Sequence, residues 1–118
     1  MMSIMSAARG YNGTVSFDGH VVSITREGVL ARVSFGRSEK RIPIRSIAAI
    51  QIKPAGALTN GFIQFTVPGG IERGGQHGSR TLNAASDENS VVFLRKHQAD
   101  FERIRDEIEA AINTSTVL

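Results

Sequence analysis

A change of hydrophobic period near residue 94 constrains the fold of this chain most. Upstream of it, apolar residues alternate with polar ones in short runs separated by glycine-containing turns, which is typical of half-buried β-strands. Downstream, apolar residues recur at spacings of three and four, as in one amphipathic helix: Phe101, Ile104, Ile108 and Ile112. The sequence therefore predicts a mainly β domain of about seven antiparallel strands, a barrel or sandwich closed by a C-terminal α-helix.

The most regular strand pattern lies in the first third of the chain. Residues 11–17, 22–25 and 29–35 each alternate, and the two-residue turns Asp18-Gly19 and Glu27-Gly28 separate them. This pattern predicts a three-strand meander. Further strands are expected at 42–44, 47–53, 62–67 and 91–94, with a weaker one at 80–84.

Proline and glycine mark the less regular parts of the middle region. Pro43 cannot donate to a strand ladder, so its strand is expected at a sheet edge or with that position turned away from a neighbour. The segment from Pro68 to Arg80 contains five glycines and is interpreted as a long loop, either a binding site or a simple connector.

The expected domain covers residues 10–113, between a flexible N-terminus at 1–9 and a flexible C-terminus at 114–118. No Ser, Thr or Asp caps the start of the helix, so burial of its apolar stripe must stabilise it. Asn113 is the expected helix end. Two ion pairs are expected along the helix, Arg103 with Glu107 and Arg105 with Glu109.

Composition excludes several classes of protein. The 118 residues include no cysteine, so disulfides and thiolate chemistry are absent. No apolar run is long enough to span a bilayer and no signal peptide is visible, which predicts a soluble, cytoplasmic protein. The net charge of +3 divides unequally, since residues 1–86 carry +6 and residues 87–118 carry −3.

No arrangement of side chains in the sequence indicates catalysis. His20, His77 and His97 lie in separate segments without the spacing of a metal site or a triad. Asp87 and Glu88 fit either a metal or acid–base pair or, more commonly, a turn before a strand. The glycines match no phosphate-binding loop. The sequence therefore predicts no enzyme activity, no cofactor and no metal.

Three strings resemble a known family: GYNGTVSFDG at 10–19, KPAGALTNGFIQFTVPGG at 53–70 and AASDENSVVF at 84–93. They are similar to an uncharacterised actinobacterial family within the bacterial pleckstrin-homology-like (PH-like) domains, often found beside a short helical module called SHOCT. The resemblance implies a PH-like fold without an assigned activity, and a stand-alone copy fits a phage gene as well as a bacterial one. It also raises phosphoinositide binding, which the short, acidic Asp18-Gly19 turn argues against.

Two functions from different classes remain open. The first is a non-catalytic module that binds protein, either itself or a partner chain, with Phe62, Arg73, His77 and Arg80 as candidate contacts. The second is a binder of anionic surfaces, nucleic acid or membrane, through the basic strand region. Its candidates are Arg37, Lys40 and Arg41.

Aromatic residues bear on both functions. Six of them fall on the inward phase of their elements and are expected in the core: Tyr11, Phe17, Phe35, Phe65, Phe93 and Phe101. Phe62 is out of phase and is expected on the opposite face, where it would be available to a partner.

Overall fold

The computed structural model describes residues 6–26, 39–68 and 88–116. They form two antiparallel sheets and one C-terminal helix, so the predicted mainly β class is confirmed. The expected strands at 29–35 and 80–84 and nearly all of the glycine-rich loop lie outside the described residues.

Sheet A contains four strands in chain order: β1 (Ser6–Arg9), β2 (Thr14–Phe17), β3 (Val21–Thr25) and β4 (Glu39–Pro43). The register pairs Phe17 with Val22, and Val22 with Ile42, so apolar side chains stack across three strands on one face. All three are buried, which makes this face one wall of the core.

A hairpin joins β2 and β3 at the predicted place, but residues 18–20 separate the two strands, rather than the two residues Asp18-Gly19. Gly19 has a φ of +100°, a conformation that other L-residues rarely adopt. Asp18 Oδ1 accepts hydrogen bonds from the backbone N–H groups of His20, at 2.9 Å, and Val21, at 2.8 Å. The Asp18 side chain therefore stabilises the turn in which Asp18 is the first residue.

β1 corrects the expectation that residues 1–9 lack regular structure. Ser6–Arg9 pairs with β2 in a continuous ladder, in which Ala8 lies opposite Val15. Ala8 is fully buried, and the helix packs against this strand. A strand whose inward residue is alanine has little hydrophobic contrast, so its alternation is not visible in the sequence.

β4 is an edge strand of the described sheet, as the proline predicted. The chain does not continue as a strand through Ile44, however. Ile44–Ser46 forms a 3-10 turn in which the N–H of Ile47 bonds to the carbonyl of Ile44 at 3.1 Å. This turn redirects the chain from sheet A to sheet B.

Sheet B contains β5 (Ala49–Lys53), β6 (Gly61–Thr66) and β7 (Ser90–Phe93). β6 and β7 contribute four fully or almost fully buried side chains to the core: Ile63, Phe65, Val91 and Phe93. Sheet B thus forms the second wall opposite sheet A.

The two sheets meet along the outer edge of β7 without closing into a barrel. Tyr11 donates its N–H to the carbonyl of Val92 at 2.8 Å, and Asn12 Oδ1 accepts from the Val92 N–H at 2.8 Å. These bonds join the β1–β2 connection to β7, but no continuous ladder runs between the described strands of the two sheets. The expected barrel closure is therefore not found among the described residues.

A helix, α1 (Gln98–Thr116), closes the core after a 3-10 turn at Arg95–His97. Its predicted stripe is confirmed, because Phe101, Ile104 and Ile108 are fully buried and Ile112 packs partly against them. The rings of Phe93 and Phe101 stack with centroids 4.6 Å apart, which joins the helix to β7.

A histidine side chain bonds to the backbone at the start of the helical segment. His97 is half-buried, and its Nδ1 accepts a hydrogen bond from the Leu94 N–H at 3.2 Å. This bond satisfies the N–H of Leu94, the residue before the first turn, as the third helical residue of a capping box does.

The helix end and one ion pair differ from prediction. α1 continues past Asn113 to Thr116. Asn113 does not adopt the left-handed φ that a C-terminal stop at this residue would need. The pair Arg105–Glu109 is present at 3.3 Å. Arg103 instead contacts Asp100 at 3.6 Å, one turn toward the helix start.

Candidate interaction surface

The histidines of the described ranges lie apart from one another in the structure. His20 is exposed beside a turn and His97 bonds to the Leu94 N–H, while His77 lies outside the described residues. Within residues 6–26, 39–68 and 88–116, no group of three or more potential metal ligands comes together. Glu88 and Asn89 form a turn before β7, while Asp87, the other member of the predicted pair, lies outside the described residues.

Phe62 is buried, contrary to the expectation that it is available to a partner. It does face away from the main core, where it forms a second small cluster with Val92, its partner across the β6–β7 ladder. Only 2% of Phe62 is exposed, so it cannot act as an accessible aromatic contact without rearrangement.

The basic candidates of β4 have different surroundings. Lys40 is half-buried and forms an ion pair with Glu88 at 2.6 Å, which ties β4 to the turn before β7. Arg41 is exposed while Ile42 is buried, as alternation predicted. The interaction roles proposed for Arg37, Arg73, His77 and Arg80 stay predictions, because these residues lie outside the described ranges.

Only two large apolar side chains among the described residues are exposed. Tyr11 is 62% exposed and Leu58 is 99% exposed. Tyr11 was expected in the core as part of a strand, but it lies in the connection before β2 and only its backbone bonds to β7.

Leu58 lies in an ordered connection between β5 and β6, residues 54–60. Within it, the Gly56 N–H donates to the Thr59 carbonyl at 2.9 Å, which closes a tight turn. At its base, the Ala55 N–H donates to Gln98 Oε1 at 2.9 Å. The first helical residue thus holds the loop that presents Leu58.

Gly61 explains how closely this loop packs onto the domain. A Cβ atom at this position would lie 2.6 Å from Phe93 Cε1 and 2.8 Å from the Ala55 nitrogen, and it would also contact the Lys53 carbonyl. Only a residue without a side chain permits this approach. The loop is therefore fixed at its base by β7 and the helix.

Several exposed residues lie at the same end of sheet B. The register places the end of β5, the start of β6 and the end of β7 side by side, so loop 54–60 lies beside the residues that follow Phe93. The backbone N–H of Tyr11 bonds to the carbonyl of Val92, one residue before the end of β7. We call four exposed residues here the tip surface: Tyr11, Leu58, Arg95 and Lys96.

Sequence reasoning missed the tip surface because it treated residues 54–61 only as a break between strands. The available signal was a leucine inside a segment of proline, glycine and asparagine, flanked by two alternating runs. Turn geometry does not call for leucine, so its presence marks the position as unusual, whereas its exposure is visible only in the structure. Its proximity to the helix start depends on tertiary contacts and has no sequence signal.

The first strand connection also differs from the one assumed in the phosphoinositide argument. It comprises residues 10–13, between β1 and β2, rather than Asp18-Gly19. It contains no Lys or Arg, and its backbone is bonded to β7. The cationic loop that a headgroup pocket needs is therefore absent from this connection too.

The architecture defines a small, mainly β domain in which two antiparallel sheets enclose a core covered by a C-terminal helix. The profile of a family described as a domain of unknown function (DUF4429) matches residues 15–109, more than half of the chain. The chain belongs to this family. No curated protein and no solved structure matches it.

Proposed function

We propose that this protein is a non-catalytic interaction module that makes its contacts through the tip surface. The observation that carries the proposal is Leu58, which is 99% exposed on a loop whose base is hydrogen-bonded to Gln98. Burying one leucine on a partner contributes roughly 1.5–3 kcal/mol. Because two hydrogen bonds already restrain the loop, binding costs less conformational entropy than it would for an unrestrained segment.

The partner is either a protein or an anionic surface, the two classes that the sequence analysis left open. A protein, either a second copy or another chain, was the first expectation, and the exposed apolar side chains support it. An anionic surface was the alternative, and the exposed cations Arg95 and Lys96 beside the loop support it. No helix of the described residues is long and apolar enough to cross a membrane.

The proposal also includes the PH-like fold class, the origin of the chain and its location in the cell. Two sheets joined at one corner and covered by a C-terminal helix support the PH-like class that the sequence resembles. Actinobacterial or phage origin and a cytoplasmic location agree with the resemblance and with a chain that has no cysteine.

Fractionation of the tagged protein from its host tests whether the tip surface makes contacts. We expect a share of the wild type in large complexes or in the membrane fraction, and Leu58→Asp in the free fraction. Leu58→Met keeps an apolar side chain and should behave as wild type. Ala110→Asp, at an exposed site on the helix, controls for added charge. Identical distributions for wild type and Leu58→Asp would contradict the proposal.

A further inference from the structure

We infer that the tip surface docks onto an anionic lipid bilayer, with Leu58 entering the interfacial region between the headgroups. This inference rests on the proposed function and names the partner of the same surface. It combines three observations: a single projecting leucine, two exposed cations at the same end of sheet B, and an exposed acidic group that lies in the second half of the helix.

The shape of the tip favours a bilayer over a folded protein. A specific protein interface typically buries about 800 Å² on each partner around a packed apolar centre. Here the exposed large apolar side chains of the described residues are Tyr11 and Leu58, on two separate connections. A bilayer needs no complementary pocket, because any projecting apolar side chain can enter it.

The side chains around Leu58 have the chemistry that favours the bilayer level at which each would lie. Arg95 and Lys96 are exposed at the helix start, and Arg9 is exposed at the end of β1, next to the connection that carries Tyr11. Long cationic side chains can contact lipid phosphates while an adjacent leucine lies deeper. Tyrosine is enriched at the same interfacial level.

The acidic residues near the tip are engaged with other side chains. Asp100 contacts Arg103 at 3.6 Å, and Glu102 accepts from Gln98 Nε2 at 3.2 Å. The exposed acidic group farther along the helix begins at Asp106, about 12 Å of helix rise beyond Gln98. At physiological ionic strength the Debye length is about 8 Å, so its repulsion at the tip is largely screened.

The basic edge of sheet A is a weaker candidate for the same partner. Arg41 and Arg45 are exposed there, but the only exposed large apolar side chains of the described residues lie elsewhere, at Tyr11 and Leu58. Charge alone gives weak binding that salt removes. Charge together with an inserted side chain gives retention that persists at physiological salt.

Vesicle sedimentation of the full chain tests the inference. The probes are phosphatidylcholine vesicles with and without roughly 30% phosphatidylglycerol, at physiological ionic strength. We expect wild-type protein to sediment with the anionic vesicles and not with the neutral ones. Leu58→Asp should lower the partition coefficient at least tenfold, and Arg95→Gln with Lys96→Gln should lower it roughly 25-fold, about fivefold for each cation.

Leu58→Met is the matched control and should bind within about twofold of wild type. Thermal melting should be the same for all variants, since these side chains are exposed. Absence of vesicle binding, or equal binding by Leu58→Asp, would overturn the inference, and so would retention of a single-stranded oligonucleotide in place of vesicles. If Leu58-dependent complexes in the host persist without vesicle binding, the proposed function stands and the bilayer as partner is wrong.

Discussion

Arg26 is the charged residue that the fold holds most deeply among those described. Only 3% of it is exposed, and its guanidinium donates to the carbonyls of Asn12 at 3.2 Å, Glu88 at 3.4 Å and Ser90 at 2.6 Å. These carbonyls belong to the β1–β2 connection and to the start of β7. Arg26 itself follows the end of β3, so its side chain joins that segment to the β1–β2 connection and to the start of β7, at the corner where the sheets meet.

Replacing Arg26 should weaken this corner strongly. Arg26→Ala is expected to lower the free energy of unfolding by about 3 kcal/mol, because charge-assisted hydrogen bonds are lost and buried carbonyls lose donors. Arg26→Lys should lower it by a similar or smaller amount, since one ammonium cannot match the planar fork. Urea denaturation measures both, with exposed Arg41→Ala as the control. A loss below about 1 kcal/mol for Arg26→Ala would contradict this role.

Asp18 gives the hairpin turn a dependence on pH. The backbone N–H groups of Val21 and His20 donate to its carboxylate and hold the pKa of Asp18 below its ordinary value. A lowered folded-state pKa stabilises the protein above the ordinary pKa of the group, and this stability is lost as the pH falls through the folded value. The contribution is therefore complete at neutral pH.

The expected result is a melting-temperature difference between wild type and Asp18→Asn that is present at pH 7 and shrinks below about pH 4. Because Asp18 is only half-buried and lies at a surface turn, the difference should be small. A difference of the same size at pH 7 and pH 3 would show that the charge of Asp18 makes no contribution. Asp106→Asn, on the exposed helix surface, is the control for general charge effects.

At the scale of elements, α1 is a part of the core rather than an appendage. Ile108 is fully buried and has the same inward phase as Phe101 and Ile104. Ile108→Asp should lower the free energy of unfolding by at least about 3–5 kcal/mol, through lost apolar burial and an added buried charge. Ile108→Val should cost about 1 kcal/mol, and exposed Glu107→Gln almost nothing. Circular dichroism during denaturation measures all three, and a wild-type melt for Ile108→Asp would show that the helix packs elsewhere.

The elements that the sequence predicts well are those with large side chains in a clear period. The helix stripe and the strands around Ile50 and Phe65 follow from such periods, as does the turn at Gly19. β1 was missed because Ala8 gives too little contrast. The exposure of Tyr11 was not predicted, because this part of the chain bonds to β7 through its backbone, and side-chain alternation does not reveal such a bond.

The candidate site was less predictable than the fold. Phe62 was correctly placed opposite the core face, but its burial depends on tertiary packing that the period does not contain. The tip surface depends on the side-by-side ends of three strands and on Gln98 reaching across 43 residues to Ala55. Such long-range contacts bring sequence-distant residues together, so spacing alone could not identify them.

At the scale of the whole molecule, charge is distributed along the helix rather than between two halves of the chain. The sequence suggested a basic body and an acidic C-terminal region, with +6 in residues 1–86 and −3 in 87–118. Arg95 and Lys96 belong to the acidic region by sequence, yet they lie at the tip surface. The second half of the helix carries the exposed acidic residues Asp106, Glu107 and Glu109. The molecule therefore has a basic end and an acidic flank.

This layout predicts that neutralising the acidic flank has little effect on binding at the tip. A triple variant, Asp106→Asn with Glu107→Gln and Glu109→Gln, should bind anionic vesicles within about twofold of wild type, because its nearest changed charge lies beyond one Debye length. Its stability should fall by at most about 1 kcal/mol, since Arg105 loses exposed ion pairs at 2.7 and 3.3 Å. A rise in vesicle affinity of about tenfold would mean that the flank faces the bilayer, because each charge near such a surface changes binding by about fivefold.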